Sequence, residues 1–284
     1  MFKKTLIILS LLCNNLLIII AVNPNNNPKV LIITHACTRP DFIEIHYKTF
    51  KKFLLDDYEF VVFNDARTPV LRAKIDQTCE KLGLRCIHIA QEIHDRPYLY
   101  RSPGEDNNHA CCRCANVVQY SLDVLGFKHN GIVAIIDSDM FLIKKFSIID
   151  YLKNNDMAGV PQSRGNKINY LWNGLVFFNM NTLPNKEKIN FNCGRVEGVG
   201  TEVGGYLYYY FQKNPQIRVK PIGVVHISAI MCEKCPEEQQ YTCVHAIKLV
   251  NSCNFNKKTV DFISKGPRNI EFFLDGTFFT RYNA

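Results

Sequence analysis

Two aspartates, Asp137 and Asp139, stand one residue apart at the end of the apolar run Gly131-Ile-Val-Ala-Ile-Ile136. A run this rich in β-branched residues reads as a buried strand. In an extended backbone alternate side chains share a face, so both carboxylates converge on one point at the strand end. Two close carboxylates repel each other unless a cation sits between them. Oxygen ligands of this kind suit Mg²⁺ or Mn²⁺, ions that bridge protein carboxylates to substrate phosphates. The chemistry is that of a metal–diphosphate site. The alternative is a polar turn that closes a core strand.

The elements that would position this pair alternate along the chain. Lys29 to Thr34 is a strand. Thr38-Arg39-Pro40-Asp41 carries helix-start signals, and apolar residues follow at helical spacing to Leu54. Tyr58 to Phe63 is a second strand, ending in Asn64-Asp65. Val70 to Leu82 is a helix closed by Gly83, and Leu84 to Ile89 a third strand. His94 to Asn108 is a polar loop, and His109 to Leu125 a helix that leads to the aspartate strand. Strand–helix alternation predicts an α/β fold with a mainly parallel sheet flanked by helices. Ligands of such sheets bind beyond the carboxyl ends of the strands. Thr34-His35, Asn64-Asp65 and Asp137-Asp139 all fall there.

The second half is less regular. Ala158 to Gln162 and Leu175 to Asn179 read as strands, the latter introduced by Tyr170-Leu-Trp172-Asn173-Gly174. Cys193 to Gly205 reads as a flexible glycine-rich loop, Tyr206 to Phe211 as an aromatic helix, and Ile217 to Val225 as a strand ending at His226. The glycine loop lacks the lysine and spacing of a P-loop.

The chain has 284 residues, 47% hydrophobic and 21% charged, which suits a folded domain and argues against disorder. The net charge of +8 comes from scattered basic residues, which suits anionic small ligands and not nucleic acid. Lys3 and Lys4 precede the apolar runs Leu6 to Cys13 and Leu16 to Val22. Residues 1–28 therefore read as a signal peptide or a membrane anchor plus linker, with the domain at 29–284 exported. Within it the regularly alternating half runs to residue 140 and the less regular half follows. Twelve cysteines then make disulfides plausible. Cys79 and Cys86 can bridge a helix end to the next strand. Cys111, Cys112 and Cys114 cluster on one helix. Cys232, Cys235, Cys243 and Cys253 suit disulfides, free thiols or a zinc site that includes His245.

The Ile-Ile-Asp137-Ser-Asp139 strand end, the Trp172-Asn173-Gly174-Leu-Val-Phe-Phe-Asn179 strand and the Thr201-Glu202-Val-Gly-Gly205 loop together resemble a GT-A glycosyltransferase. The likeness is to the nucleotide-diphospho-sugar transferases of bacteria and large DNA viruses and, more distantly, to the glycogenin-like group. It covers about Lys29 to His226. It implies a nucleotide-sugar donor, most often a UDP-sugar, and a divalent metal, usually Mn²⁺. Asp137 and Asp139 would hold the metal and diphosphate, with Ser138 between them in the donor-binding turn. Thr34, His35 and Asp65 match residues that contact the nucleoside. Asn173 and Gly174 match the lining of the sugar and acceptor sites. Many relatives add a late histidine as a third metal ligand. Phe278 to Ala284 contains none, which leaves His226 as the candidate.

The implied reaction moves a sugar to the hydroxyl of a glycan, lipid or protein acceptor. A bound dication neutralises the leaving diphosphate. An inverting enzyme also needs a base, for which Glu202 is the candidate; a retaining enzyme needs none. Glu202 can equally be a helix-start acid, and Trp172 either a sugar-stacking ring or core. Two other classes compete. One is a nucleotidyltransferase, which would want a glycine- and lysine-rich loop where His35-Ala-Cys-Thr-Arg39 stands. The other is an exported binding protein that kept the fold and lost the chemistry.

Overall fold

The computed structural model describes residues 30–95, 109–165, 167–228, 269–273 and 278–282. The expected leader at 1–28 and the cysteines from Cys232 to Cys253 lie outside the described residues. No helix among the described residues is long and apolar enough to cross a membrane.

The strands are β1 (Val30–Ala36), β2 (Tyr58–Asn64), β3 (Arg85–His88), β4 (Ile132–Ile136), β5 (Phe141–Leu142), β6 (Met157–Arg164), β7 (Ile168–Asn179), β8 (Gly194–Val196), β9 (Val199–Thr201), β10 (Val219–Pro221), β11 (Val224–Ser228), β12 (Asn269–Phe273) and β13 (Phe278–Tyr282). The α-helices are α1 (Pro40–Phe53), α2 (Pro69–Leu82), α3 (Gln91–His94), α4 (Ala110–Val124), α5 (Ile148–Leu152) and α6 (Leu207–Lys213). A seven-stranded sheet runs in the order β10-β6-β7-β4-β1-β2-β3. Its strands are parallel except β7, which runs against both β4 and β6. The fold is therefore α/β with a mainly parallel sheet flanked by helices, as the alternation predicts. Strands from both expected halves share this one sheet.

Burial on both faces explains the composition of the central strands. β1 and β4 are nearly continuous apolar runs because each covers two cores. On one face Leu31, Ile33, Val133 and Ile135 pack with α4 residues such as Val118 and Leu122. On the other Ile32, Ala134 and Ile136 meet α1 and α2 through Ile43, Phe50 and Ile75. Local signals set the helix ends. Thr68 accepts a hydrogen bond from Leu71 N (3.3 Å) at the start of α2, and Gly83 closes that helix at φ 66°.

Four expectations need correction. The first residue of the expected loop, His94, instead ends a helix, α3 (Gln91–His94), whose Ile93 is buried. The 193–205 segment is not a flexible loop. It holds the β8–β9 hairpin, whose two-residue turn puts Glu197 and Gly198 at positive φ (49° and 79°). The 217–225 strand divides: β10 pairs with β6 only as far as Pro221, which has no N–H to continue a ladder, and β11 joins a second sheet, β11-β12-β13-β5. The strand at 175–179 begins seven residues earlier, at Ile168.

Candidate active site

The site is built at the carboxyl ends of β1, β2 and β4. The ladder of β4 continues past its last residue: Asp137 N donates to Gly174 O at 2.8 Å, just beyond the pair Ile136–Leu175. The chain then turns, with Met140 N donating to Asp137 O at 3.0 Å, and enters β5. This tight turn presents Asp137, Ser138 and Asp139, each half-buried. Burial and the charge of Asp139 push the Asp137 carboxyl up to about 7, against the Ser138 N–H that bonds its Oδ1 at 2.8 Å. Charge repulsion inside an enclosed turn is what a divalent cation relieves, so the donor set fits Mn²⁺ or Mg²⁺.

Sequence reading missed the residue beneath this turn. His46 of α1 is fully buried, and its Nε2 donates to the Ser138 carbonyl at 3.0 Å. A carbonyl only accepts, so that nitrogen carries the proton. Burial drives the His46 pKa down to about 4, against its hydrogen bonds to the Ser138 and Asp137 backbone, so the ring is neutral at pH 7. It stands among Phe50, Phe60 and Phe141. The available signal was a polar residue inside the apolar stripe Ile43, His46, Phe50, Phe53.

A bulge places the neighbouring segment. Gly159 of β6 pairs with Val176, and the next residue, Val160, pairs with Trp172. Asn173, Gly174 and Leu175 are thereby extra to the β6 ladder, while Leu175 still pairs with β4 and Gly174 O accepts from Asp137 N. Bulges of this kind re-aim side chains beside active sites. The Trp172 ring lies across Gly174 so closely that any Cβ there would run into it. Asn173 is buried and donates from Nδ2 to Cys114 Sγ of α4 at 3.3 Å. Burial, and then the charge of Asp137, push the Cys114 thiol up.

Asp65 is placed at the end of β2, as expected, but it is locked into the protein. Its Oδ1 accepts from Arg113 (2.6 Å) and from His94 Nε2 (2.8 Å), all three side chains being buried. His35 points to the same helix. Ser121 spends its only hydroxyl proton on Val118 O, so Ser121 Oγ accepts from His35 Nε2 (3.1 Å). Burial lowers the His35 pKa to about 4, against the charge of Asp65. Thr34 is buried on the opposite face, with no hydrogen-bond partner for its hydroxyl among the described residues.

The other candidates stand on other elements. Glu202 lies between β9 and α6 and forms an exposed ion pair with Arg164 at the end of β6 (2.5 Å). His226 lies on β11, which β12 and β13 separate from β5 in their sheet. β13, the strand at 278–282, pairs with β5 directly. A cavity of about 710 Å³ between α6 and the 185–195 segment is lined by Tyr206, Tyr209, Tyr210, Arg195, Lys188 and Lys213 and by none of the strand-end residues.

The sequence matches no protein-family model and no curated relative. Comparison with solved structures finds partial likenesses. A mannosyltransferase from Pyrobaculum calidifontis, solved with GDP-mannose and Mn²⁺, is 13% identical over 70% of this chain and 55% of its own, with a TM-score of 0.44. An active-site mutant of LgtC is 12% identical over 53% of this chain and 57% of its own (TM-score 0.37). Glucosyl-3-phosphoglycerate synthase from Mycobacterium tuberculosis, solved with Mn²⁺, UDP and glucosyl-3-phosphoglycerate, is 14% identical over 54% of this chain and 57% of its own (TM-score 0.33). The chain thus spans little more than half the length of these proteins.

Proposed function

We propose that this chain is a metal-dependent glycosyltransferase that moves a sugar from a nucleotide-diphosphate donor, most often a UDP-sugar, to an acceptor hydroxyl. One observation supports it above the others. At the carboxyl edge of a mainly parallel sheet, the Asp137–Asp139 turn holds two carboxylates close enough to perturb each other, supported from below by His46. Asp137 and Asp139 would hold Mn²⁺ or Mg²⁺ and, through it, the donor diphosphate. When bound, that cation supplies Lewis-acid neutralisation of the departing diphosphate.

The protein's own part is positioning. His46 fixes the Ser138 carbonyl and so the turn. Gly174 O anchors the Asp137 backbone. Asn173, held by Cys114, lies beside the place where a donor sugar would sit. His35 and the neutralised Asp65 form the floor on the nucleoside side. Glu202 would act as base in an inverting reaction only after release from Arg164. The proposal also has the chain exported or tethered through residues 1–28, with its acceptor outside the cytoplasm.

The test is thermal stability of the full chain against UDP, GDP, CMP and UDP-sugars, each with and without Mn²⁺, since a ligand of the folded state raises the melting temperature. A rise that needs one nucleotide and the metal together supports the proposal and names the base. No rise with any pair removes it. A rise without turnover of any nucleotide sugar would favour the binding protein.

A further inference from the structure

A second group of ligating atoms lies on edge strand β3 and the helix before it, on the far side of β1 and β2 from β4. Asp76 and Cys79 are three residues apart on α2 and so share a helix face. Cys86 and His88 are two apart on β3 and so share a strand face. The left-handed Gly83 folds one onto the other. Asp76 Oδ1 receives three donors: His88 Nε2 at 2.8 Å, Asn64 Nδ2 at 2.9 Å and Cys86 Sγ at 3.4 Å. One ligand atom from each of Asp76, Cys86 and His88 lies within 4.8 Å of the others. Tetrahedral zinc ligands stand roughly 3.3–3.8 Å apart, given bonds of about 2.0–2.3 Å, so a small inward shift closes the site.

The chemistry of the set selects the ion. One or two thiols with an imidazole and a single carboxylate suit Zn²⁺ and not the hard cations expected at Asp137. Cys79 borders the group, its thiol within hydrogen-bond reach of that of Cys86. His88 is about half exposed (52%), which opens a path for the ion. We propose that Asp76, Cys86 and His88 form a Zn²⁺ site, with Cys79 as its fourth ligand, that pins the end of α2 to edge strand β3.

The experiment uses the full chain, purified under reducing conditions and equilibrated with Zn²⁺ alone. Bound zinc is counted by mass spectrometry for the wild type, His88→Ala, Cys86→Ser and Asp137→Asn. Each variant's melting curve is recorded to establish that it is folded. The Cys232–Cys235 group is common to all four, so the difference between proteins is the readout. The expected result is one zinc equivalent lost in both His88→Ala and Cys86→Ser and retained in Asp137→Asn. Co²⁺ in place of zinc should give thiolate charge-transfer absorption that Cys86→Ser reduces. Equal zinc in all four proteins overturns the proposal, as does loss of the equivalent in Asp137→Asn alone. A Cys79–Cys86 disulfide that forms with zinc present also overturns it, and would make the pair a covalent bridge instead.

Discussion

Asp65 and Asp137 stand at the ends of β2 and β4, on either side of β1, and the protein treats them in opposite ways. Asp65 is answered from within: Arg113 and His94 converge on one of its oxygens, and all three are buried. Asp137 faces a second carboxylate, and the balance of burial, Asp139 and one N–H leaves its pKa raised to about 7. The same sheet edge thus carries a satisfied charge and an unsatisfied one. The satisfied charge builds structure. The unsatisfied one costs stability unless a cation joins it, which is the physical mark of a site kept for a ligand.

The sharpest way to break this contrast is to remove Arg113. Arg113→Ala leaves Asp65 buried without its guanidinium, and breaking such a pair costs about 3–5 kcal/mol. Urea unfolding should show a lower midpoint at an unchanged slope, the shift multiplied by the slope giving that loss. A loss under about 1 kcal/mol would mean that Asp65 is no more structural than Asp137. Next in size is Gly174→Ala, which drives a methyl into the Trp172 ring. Overpacking of this kind costs about 1–3 kcal/mol and should displace the carbonyl that anchors Asp137, so weaker Mn²⁺-dependent nucleotide binding should accompany the lost stability.

Asp137→Asn tests the other side of the contrast through pH. An unfolded aspartate loses its proton near pH 4, whereas folded Asp137 keeps it to about pH 7. Between those values the folded state binds the extra proton, so this group's contribution to stability falls as pH rises from about 4 to about 7 and is gone above that. Asp156, which Arg218 holds down to about 2, tilts the curve the other way in both proteins. The difference between wild type and Asp137→Asn, measured without metal, isolates the effect. The variant should gain on the wild type as pH rises and should lose the Mn²⁺-dependent nucleotide shift. Parallel pH curves would show that the two carboxylates do not strain each other. The smallest effect belongs to Glu202→Gln. Its ion pair with Arg164 is exposed, so stability should change by no more than about 1 kcal/mol. A fall in turnover without a change in melting temperature would mark Glu202 as the base; unchanged turnover would point to retention.

Much of the first half was legible because its signals are local. Pro40 and Thr68 open helices, Gly83 closes one, and β1, β2 and β4 are apolar runs of strand length. Their ends fall within two residues of expectation. The site was legible only where its residues are adjacent in the chain, as in Asp137-Ser-Asp139 and Trp172-Asn173-Gly174. The Asp65–Arg113 pair spans 48 residues, and His46 reaches Ser138 across 92. No spacing rule announces such partners. The β8–β9 hairpin escaped because its turn puts Glu197, not a residue usual there, at positive φ beside Gly198.

What the chain dictated by itself is its alternation, the parallel sheet that follows from it, and a pair of carboxylates at one strand end. These depend on residue type and on periods of two and of about 3.6, which act over a few residues. Only the tertiary structure decided which carboxylate is neutralised and which is not. It also decided where the β7 bulge puts Asn173, and that Asp76, Cys86 and His88 meet at one edge. Charge and coordination depend on distance in space, and the sheet brings together groups that the sequence holds far apart.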